Sequence, residues 1–261
     1  MIGWLRRWRR RKWGKEPVPD HWRPWIEKYR PDLLGFPVAQ RLRILRCAYI
    51  VYREKHWEGC HGFQLTEEHC VAIALQIGRL AACFPDEYFD EVLSILVYPT
   101  PYIAPDQRPI GSGLVLHEET MRSGEAWYRG PVILSWSDVQ QLAYHPHLPR
   151  NVVIHEFAHH LDMRNGREAD GVPVLETNEE AQRWLATMTA AHRRLKRACE
   201  DGREDILDCY GASHPAEFFA VSSEAYFQTP DQLRQRWPDV FFALDSFYRA
   251  WPPSLSDHAS N

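Results

Sequence analysis

The chain has 261 residues and a formal net charge of −4, with 44% hydrophobic and 25% charged residues. This composition is ordinary for a soluble protein with a substantial core, and the charge gives no overall attraction to nucleic acid. No apolar run approaches the roughly 20 residues that span a bilayer, and the amino terminus lacks the apolar stretch of a secretory signal. Six cysteines without a CxxC pair favour buried or free thiols in a reducing compartment over a disulfide framework, so we expect a cytoplasmic protein.

The first 15 residues are basic and rich in tryptophan. They hold seven Arg or Lys residues and no acid. Such a segment can bind an anionic membrane surface or nucleic acid, but a solvated, poorly ordered tail is the commoner case. We therefore expect a flexible tail over residues 1–16, a single domain over residues 17–255 and a C-terminal tail over residues 256–261. Direct nucleic-acid binding is not expected, and membrane association through the basic tail is the less favoured alternative.

Apolar periodicity predicts helices in the first third of the chain. Two helices are expected over residues 21–52, divided at Phe36–Pro37, and a third over residues 66–83 with Thr66 as its N-cap. Three short β-type runs follow, at residues 93–98, 113–116 and 130–136. Pro131 favours an edge position for the last of these runs.

The remainder of the chain has helical periodicity. Helices are predicted over residues 151–163, 181–197, 215–227 and 231–251. The fold class is therefore α+β: a mostly helical domain with a small mixed sheet that precedes the helix at residues 151–163.

Residues 155–159 read His-Glu-Phe-Ala-His. His155 and His159 are four residues apart and so lie on one helix face, where two imidazoles can hold one Zn²⁺ and leave room for a third ligand and a water. Glu156 can take a proton from that water, whose pKa a zinc ion lowers to about 7. The motif predicts a zinc hydrolase with one Zn²⁺ per chain, although HExxH also arises by chance in histidine-rich sequences.

The third ligand is left open by residue type. A glutamate from a later helix is one known arrangement, and spacing favours Glu217 first and Glu224 second, seven residues later on the same face. His160 and His214 also compete, although His160 is rotated by about 100° from the neighbouring His159.

Asp162 is a candidate for orienting a ligand. It lies three residues past His159 and seven past His155, on the ligand face. It can accept the outer ring N–H of a ligand histidine and so fix its tautomer, or it can be a solvated helix charge. The residues favour neither interpretation over the other.

Four segments together resemble the Mlc titration factor A family of zinc metallopeptidases. They are HEFAHHLD, the preceding GEAWYRGPVILSW, the following NGREADGVPVL, and YGASHPAEFFAVSSEAYF. The likeness runs in order from about residue 22 to residue 251 and leaves the segment before Glu16 outside. It implies a zincin-like, gluzincin-type site with His155, His159 and Glu217 as ligands and Glu156 as general base. Glu224 would then support the site without binding the metal.

The YG…AEFFA segment is also similar to one in the catalytic domain of anthrax lethal factor. There, a tyrosine seven residues before the ligand glutamate assists the reaction, which implies a catalytic role for Tyr210. A phenol donor at a developing oxyanion is chemically sensible, while a hydrogen-bonded packing role is the alternative. Family members often carry Lys where this chain has His160, a departure that bears on the rim of the pocket.

Two functional hypotheses follow from the resemblance. The first is a zinc peptidase, of aminopeptidase type by family likeness, whose substrate is a peptide or protein. The second is a non-catalytic protein that sequesters a transcriptional repressor, because family members are similar to a factor that binds the Mlc repressor of sugar phosphotransferase genes. For the peptidase, we expect the strand at residues 130–136 to hold an extended peptide by edge pairing.

Overall fold

The computed structural model describes residues 2–85, 89–109, 115–122, 124–126, 130–145, 147–166 and 168–249. The predicted domain end at residue 255 and the C-terminal tail at residues 256–261 lie outside the described residues. So do the start of the β-run predicted at residues 113–116 and the last two residues of the helix predicted at 231–251.

Helices make up most of the described chain. They are α1 Ile2–Trp13, α2 Arg23–Tyr29, α3 Val38–Glu54, α4 Glu67–Ala81, α5 Trp136–Tyr144, α6 Val152–Asp162, α7 Asn178–Glu200, α8 Pro215–Gln228, α9 Pro230–Arg236 and α10 Pro238–Arg249. The strands are β1 His56–Gly59, β2 Ser94–Tyr98, β3 Tyr102–Pro109, β4 Val115–Arg122, β5 Gly124–Ala126 and β6 Val132–Ser135. Among the described residues, no helix is both long enough and apolar enough to cross a membrane. The α+β, mostly helical class is confirmed.

The main sheet is small and mixed, as predicted. Its strand order is β1-β2-β6-β5, with the first three strands parallel and β5 antiparallel to β6. β3 and β4 form a separate antiparallel pair. The prediction of an edge position for the run at residues 130–136 is wrong, because β6 pairs with β2 on one side and β5 on the other. Pro131 lies just before the first residue of β6, where its missing N–H leaves the ladder intact.

Capping side chains start the helices that matter for the site. Thr66 begins α4 by accepting a hydrogen bond from the backbone N–H of His69, as predicted. Asn151 begins α6 in the same way through the N–H of Ile154. Thr177 begins α7 with a capping box, three residues earlier than apolar periodicity indicates.

The predicted helix at residues 231–251 is broken near its start. Trp237 ends α9 with φ −134° and ψ 58°, and α10 begins at Pro238. The ring of a proline excludes the helical conformation from the residue before it, so the helix cannot continue through Trp237. Helix α5 was not predicted, because it follows β6 without an intervening loop.

The basic N-terminal segment differs from the poorly ordered tail that we expected. It forms α1, and its Arg10 side chain is only 3% exposed. The Arg10 guanidinium lies 2.5 Å from a carboxylate oxygen of Glu54 and 2.5 Å from one of Asp90. The tail is therefore held to the domain by ion pairs, which local sequence patterns do not reveal. The boundary at residue 16 stays a prediction.

Two of the six cysteines are joined. Cys199, at the end of α7, forms a disulfide with Cys209, in the short 3-10 helix Cys209–Ala212. This corrects the expectation of buried or free thiols at these two positions. The bond ties α7 to the turn that carries Tyr210.

Candidate metal centre

Two packed helices, α6 and α8, supply the side chains of the centre. α6 carries His155 and His159 one turn apart, and its apolar face is buried around Phe157. α8 begins with Pro215, so Glu217 falls in its first turn. This start is fixed by His214, whose Nδ1 accepts a hydrogen bond from the N–H of Ala216. His214 is therefore a helix cap in this structure.

Three ligand-type atoms converge between the helices. Nε2 of His155 lies 3.0 Å from Oε2 of Glu217, and Nε2 of His159 lies 3.4 Å from the same oxygen. Ligand atoms of these three residues all lie within 4.8 Å of one another. Within the described part of the chain, this is the one group of three or more His, Cys, Asp or Glu side chains that could hold a metal ion.

Glu224 fixes the orientation of the first histidine. Its Oε1 lies 2.7 Å from Nδ1 of His155, and its other oxygen accepts a hydrogen bond from the backbone N–H of Asn151. A carboxylate can only accept, so Nδ1 of His155 carries the proton and Nε2 faces the centre. The arrangement suits a metal-binding imidazole, whose second nitrogen commonly donates to a carboxylate.

The charges of the centre depend on one another. Burial opposes protonation of His155, but Glu224 and Glu217 raise its pKa well above the usual value. Burial also opposes ionisation of Glu217, yet hydrogen bonds from His155 and His159 hold its pKa well below the usual range. A buried anion of this kind needs positive partners, which a divalent cation also provides. The donor set therefore fits a metal ion.

Glu156 lies beside the three convergent side chains but is not one of them. Burial raises the pKa of Glu156 to about 7, an effect that His155 and His159 partly offset. Its carboxylate lies directly against the backbone of β5, where a methyl group on Gly124 would collide with it. The glycine thus allows the edge strand and the carboxylate to be neighbours.

Tyr210 lies at the open side of the centre. Its side chain is 58% exposed, and its ring centroid is 6.0 Å from that of His155. The turn that carries it is held by Asp208, which accepts the Tyr210 N–H at 2.8 Å and pairs with Arg150. The structure brings Tyr210 to the centre from a different element than either histidine.

Asp162 does not orient a ligand histidine. Its two oxygens accept the backbone N–H groups of Gly171 and Val172, at 2.7 and 3.0 Å. Burial raises the pKa of Asp162 to about 6, while the hydrogen bond from Gly171 acts in the opposite direction. Asp162 is therefore neither a partner of a ligand histidine nor a solvated helix charge. It is buried, and its hydrogen bonds hold the loop that follows α6.

His160 points away from the centre, as its rotation from His159 predicts. It is buried beside Phe157, with ring centroids 6.0 Å apart. Burial lowers the pKa of His160 to about 4, so it is neutral at neutral pH.

Nδ1 of His159 is also buried, and it has no hydrogen-bond partner among the described residues.

Sequence reasoning missed two residues of the centre. Asn151 was visible as a helix start, but its backbone contact with Glu224 depends on the packing of α6 on α8. Gly124 begins one of the segments that carry the family resemblance, but its contact with Glu156 depends on the packing of β5 against α6.

Comparison with known proteins agrees with this geometry. A model of the family described as glucose-regulated metallo-peptidase M90 matches residues 5–249. The chain belongs to this family. The M90 match begins at residue 5, inside the basic segment that we had set outside the family resemblance.

Relatives match over nearly their whole length. Mlc titration factor A of Enterobacter sp. (strain 638) is 32% identical over 247 residues, which cover 92% of each chain. Mlc titration factor A of Escherichia coli (strain 55989 / EAEC) is 32% identical over 241 residues, covering 91% of this chain and 90% of the relative. An uncharacterized protein of Synechocystis sp. (strain ATCC 27184 / PCC 6803 / Kazusa) is 30% identical over 242 residues, with 92% and 88% covered.

Proposed function

We propose that this chain is a zinc peptidase whose single metal ion is held by His155, His159 and Glu217. The observation that carries the proposal is the convergence of both Nε2 atoms on one Glu217 oxygen, with the buried carboxylate of Glu156 alongside. Membership of a metallopeptidase family supports it.

Zinc is the ion that best suits these donors. Two imidazole nitrogens and one carboxylate oxygen are a usual ligand set for catalytic zinc, with a fourth position left for water or substrate. Magnesium and calcium prefer sites built from oxygen alone. When bound, Zn²⁺ supplies a Lewis acid that lowers the pKa of water and polarises a peptide carbonyl.

Glu156 moves the protons of the proposed reaction. It accepts a proton from the attacking water and delivers it to the nitrogen of the departing amine, so one carboxylate serves both halves of the hydrolysis. Its position supports this role, because it lies beside the ligand histidines while Glu217 alone supplies the carboxylate to the ligand group.

Tyr210 donates a hydrogen bond to the oxyanion that forms on the scissile carbonyl. We expect Tyr210→Phe to lower kcat by about 10²-fold or more, with KM and metal content little changed, because one oxyanion donor typically contributes that much. Steady-state hydrolysis of a fluorogenic peptide measures the effect. Tyr144→Phe is the matched control, since Tyr144 is also exposed but lies at the end of α5. An unchanged kcat in Tyr210→Phe would remove the residue from the mechanism.

The outer edge of β5 is the place for the substrate backbone. It replaces the run at residues 130–136, whose β6 is an interior strand. β5 is the last strand of the sheet among the described residues, and its Gly124 lies against Glu156, so an extended peptide paired with this edge passes the general base.

Aminopeptidase preference rests on family likeness. It predicts that peptides with a free amino terminus are cleaved and that their acetylated counterparts are not. Equal cleavage of both would show an endopeptidase and leave the metal chemistry untouched.

Repressor binding is the second candidate function. It is favoured by the relatives named Mlc titration factor A, which are 32% identical to this chain. An Mlc-like repressor is therefore the protein partner to test. A cytoplasmic location is part of the proposal, since four of the six cysteines take no part in a disulfide.

A further inference from the structure

Helix α1 presents Trp4, Leu5 and Trp8 to solvent, while Arg10 faces the protein and Trp13 packs against the core. Trp4 is 70% exposed and Trp8 54%, and Leu5 lies beside them. Arg10, on the opposite side, is buried against Glu54 and Asp90. A helix that packs for stability does the reverse, burying its apolar stripe and exposing its charges. The two indoles and Leu5 therefore form an apolar stripe without a role in the described core.

Cations border this stripe on both sides. At 100° per residue, Arg7 and Arg11 fall along one flank of the stripe and Arg9 along the other, while Lys12 lies in line with the stripe, one turn after Trp8. All four side chains are exposed, and none makes an ion pair or hydrogen bond within the described residues. With no acid in the first 15 residues, the exposed face of α1 is uniformly positive around an aromatic centre.

We propose that the exposed face of α1 binds the surface of an anionic phospholipid bilayer. Tryptophan prefers the boundary between headgroups and acyl chains, where its ring is half in an apolar medium and its N–H can find a polar partner. Arginine and lysine beside it contact lipid phosphates, and the helix lies in the plane of the surface with Trp4, Leu5 and Trp8 below it.

Charge argues against a second copy of the chain as the occupant. Two such faces brought together would juxtapose like charges around each stripe, with no acid on α1 to pair with them. Nucleic acid offers the same negative charge, but Leu5 adds nothing to a phosphate or base contact, whereas it adds apolar area buried in lipid.

The anchoring of α1 makes it a rigid attachment point. Arg10 joins it to Asp90, and the adjacent Phe89 packs on Phe157 of α6, with ring centroids 5.1 Å apart. The membrane contact does not require the peptidase activity, and either can fail without the other. Membrane binding through α1 would hold α6 at a fixed orientation to the bilayer.

Co-sedimentation of the full chain with vesicles tests the proposal. Vesicles of phosphatidylcholine with about one quarter phosphatidylglycerol are compared with phosphatidylcholine alone, at low and at physiological salt. We expect binding to the mixed vesicles at least about tenfold tighter than to the neutral ones and weakened by salt. Trp4→Ala/Trp8→Ala and Arg7→Gln/Arg11→Gln should each weaken binding about tenfold or more.

Matched variants separate the face of α1 from general charge and apolarity. Arg193→Gln/Arg197→Gln removes two exposed cations from α7, and Phe242→Ala removes an exposed ring from α10, and both should bind vesicles like the wild type. Thermal midpoints of the α1 and α7 variants should be unchanged, because the altered side chains are exposed and Arg10 keeps its ion pairs. Absence of wild-type binding to anionic vesicles at low salt would overturn the proposal. So would an equal loss in the α7 pair, or binding to duplex or single-stranded DNA in the absence of vesicle binding.

Discussion

Glu156→Gln is expected to lower kcat for peptide hydrolysis by about 10²- to 10⁴-fold while zinc stays bound. The amide keeps the shape of the buried side chain but cannot take a proton from water at neutral pH. The three proposed ligands, His155, His159 and Glu217, are unaltered. Hydrolysis of a fluorogenic peptide and zinc content by elemental mass spectrometry are the two measurements. Glu179→Gln, at an exposed position in the first turn of α7, is the control.

The same variant separates the two candidate functions. If repressor binding is independent of catalysis, Glu156→Gln should bind an Mlc-like repressor as tightly as the wild type in a pull-down or calorimetric titration. Cleavage at the wild-type rate would contradict the assignment of Glu156. Loss of zinc together with activity would mean that the carboxylate supports the metal instead of the proton transfer.

Glu217→Ala and Glu224→Gln are expected to weaken zinc binding to different extents. Removal of Glu217 deletes one of the three proposed ligands, and we expect the affinity for zinc to fall by more than about 100-fold. Glu224 accepts from two donors, the His155 ring and the Asn151 backbone, and glutamine has only one acceptor oxygen. The NH₂ group of the glutamine must therefore either face the backbone N–H of Asn151, which is also a donor, or donate to Nδ1 of His155 and invert the tautomer of that ring. In either case we expect the affinity for zinc to fall by about 10- to 100-fold.

Competition with a chromophoric chelator measures both affinities, with Glu179→Ala as control. Thermal unfolding gives a second readout, since a ligand present at about 1,000 times its Kd stabilises the folded state by about 4 kcal/mol. That stabilisation corresponds to a rise in Tm of about 10 °C for a chain of this size, and at the same zinc concentration it should fall to about a third or less in Glu217→Ala. Full zinc retention in Glu217→Ala, with loss in Glu224→Gln, would reverse the roles of the two glutamates.

Local sequence signals predicted the helices that build the centre but not the contacts of the loops that connect them. Asn151 and Pro215 announce the starts of α6 and α8, and HExxH places both histidines on one face. The hydrogen-bond partners of Asp162 could not be predicted in this way, because Gly171 and Val172 lie in the loop that follows α6. Sequence spacing determines which face of a helix a side chain occupies, whereas tertiary packing determines which atoms that side chain contacts.

Charge pairs over long separations were equally invisible to local patterns. Arg10 forms ion pairs with Glu54 and Asp90, which lie far along the chain. These ion pairs hold the basic segment against the domain as a helix, although its sequence predicts a poorly ordered tail. Pro238 shows the opposite case, because its effect on Trp237 is local and the break between α9 and α10 was available from the sequence. Glu217 and Glu224 were correctly placed on one face by their spacing, but only the packing of α8 against α6 brings them to opposite nitrogens of His155.

Zinc titration of metal-free protein tests whether peptide hydrolysis depends on one zinc ion per chain. The wild-type chain is stripped with a chelator, and peptide hydrolysis is followed as zinc is returned. We expect hydrolysis to be lost on stripping, to rise in proportion to added zinc and to saturate at one equivalent per chain. Full activity in the stripped protein, or no hydrolysis of any peptide at saturating zinc, would contradict the assignment as a zinc peptidase.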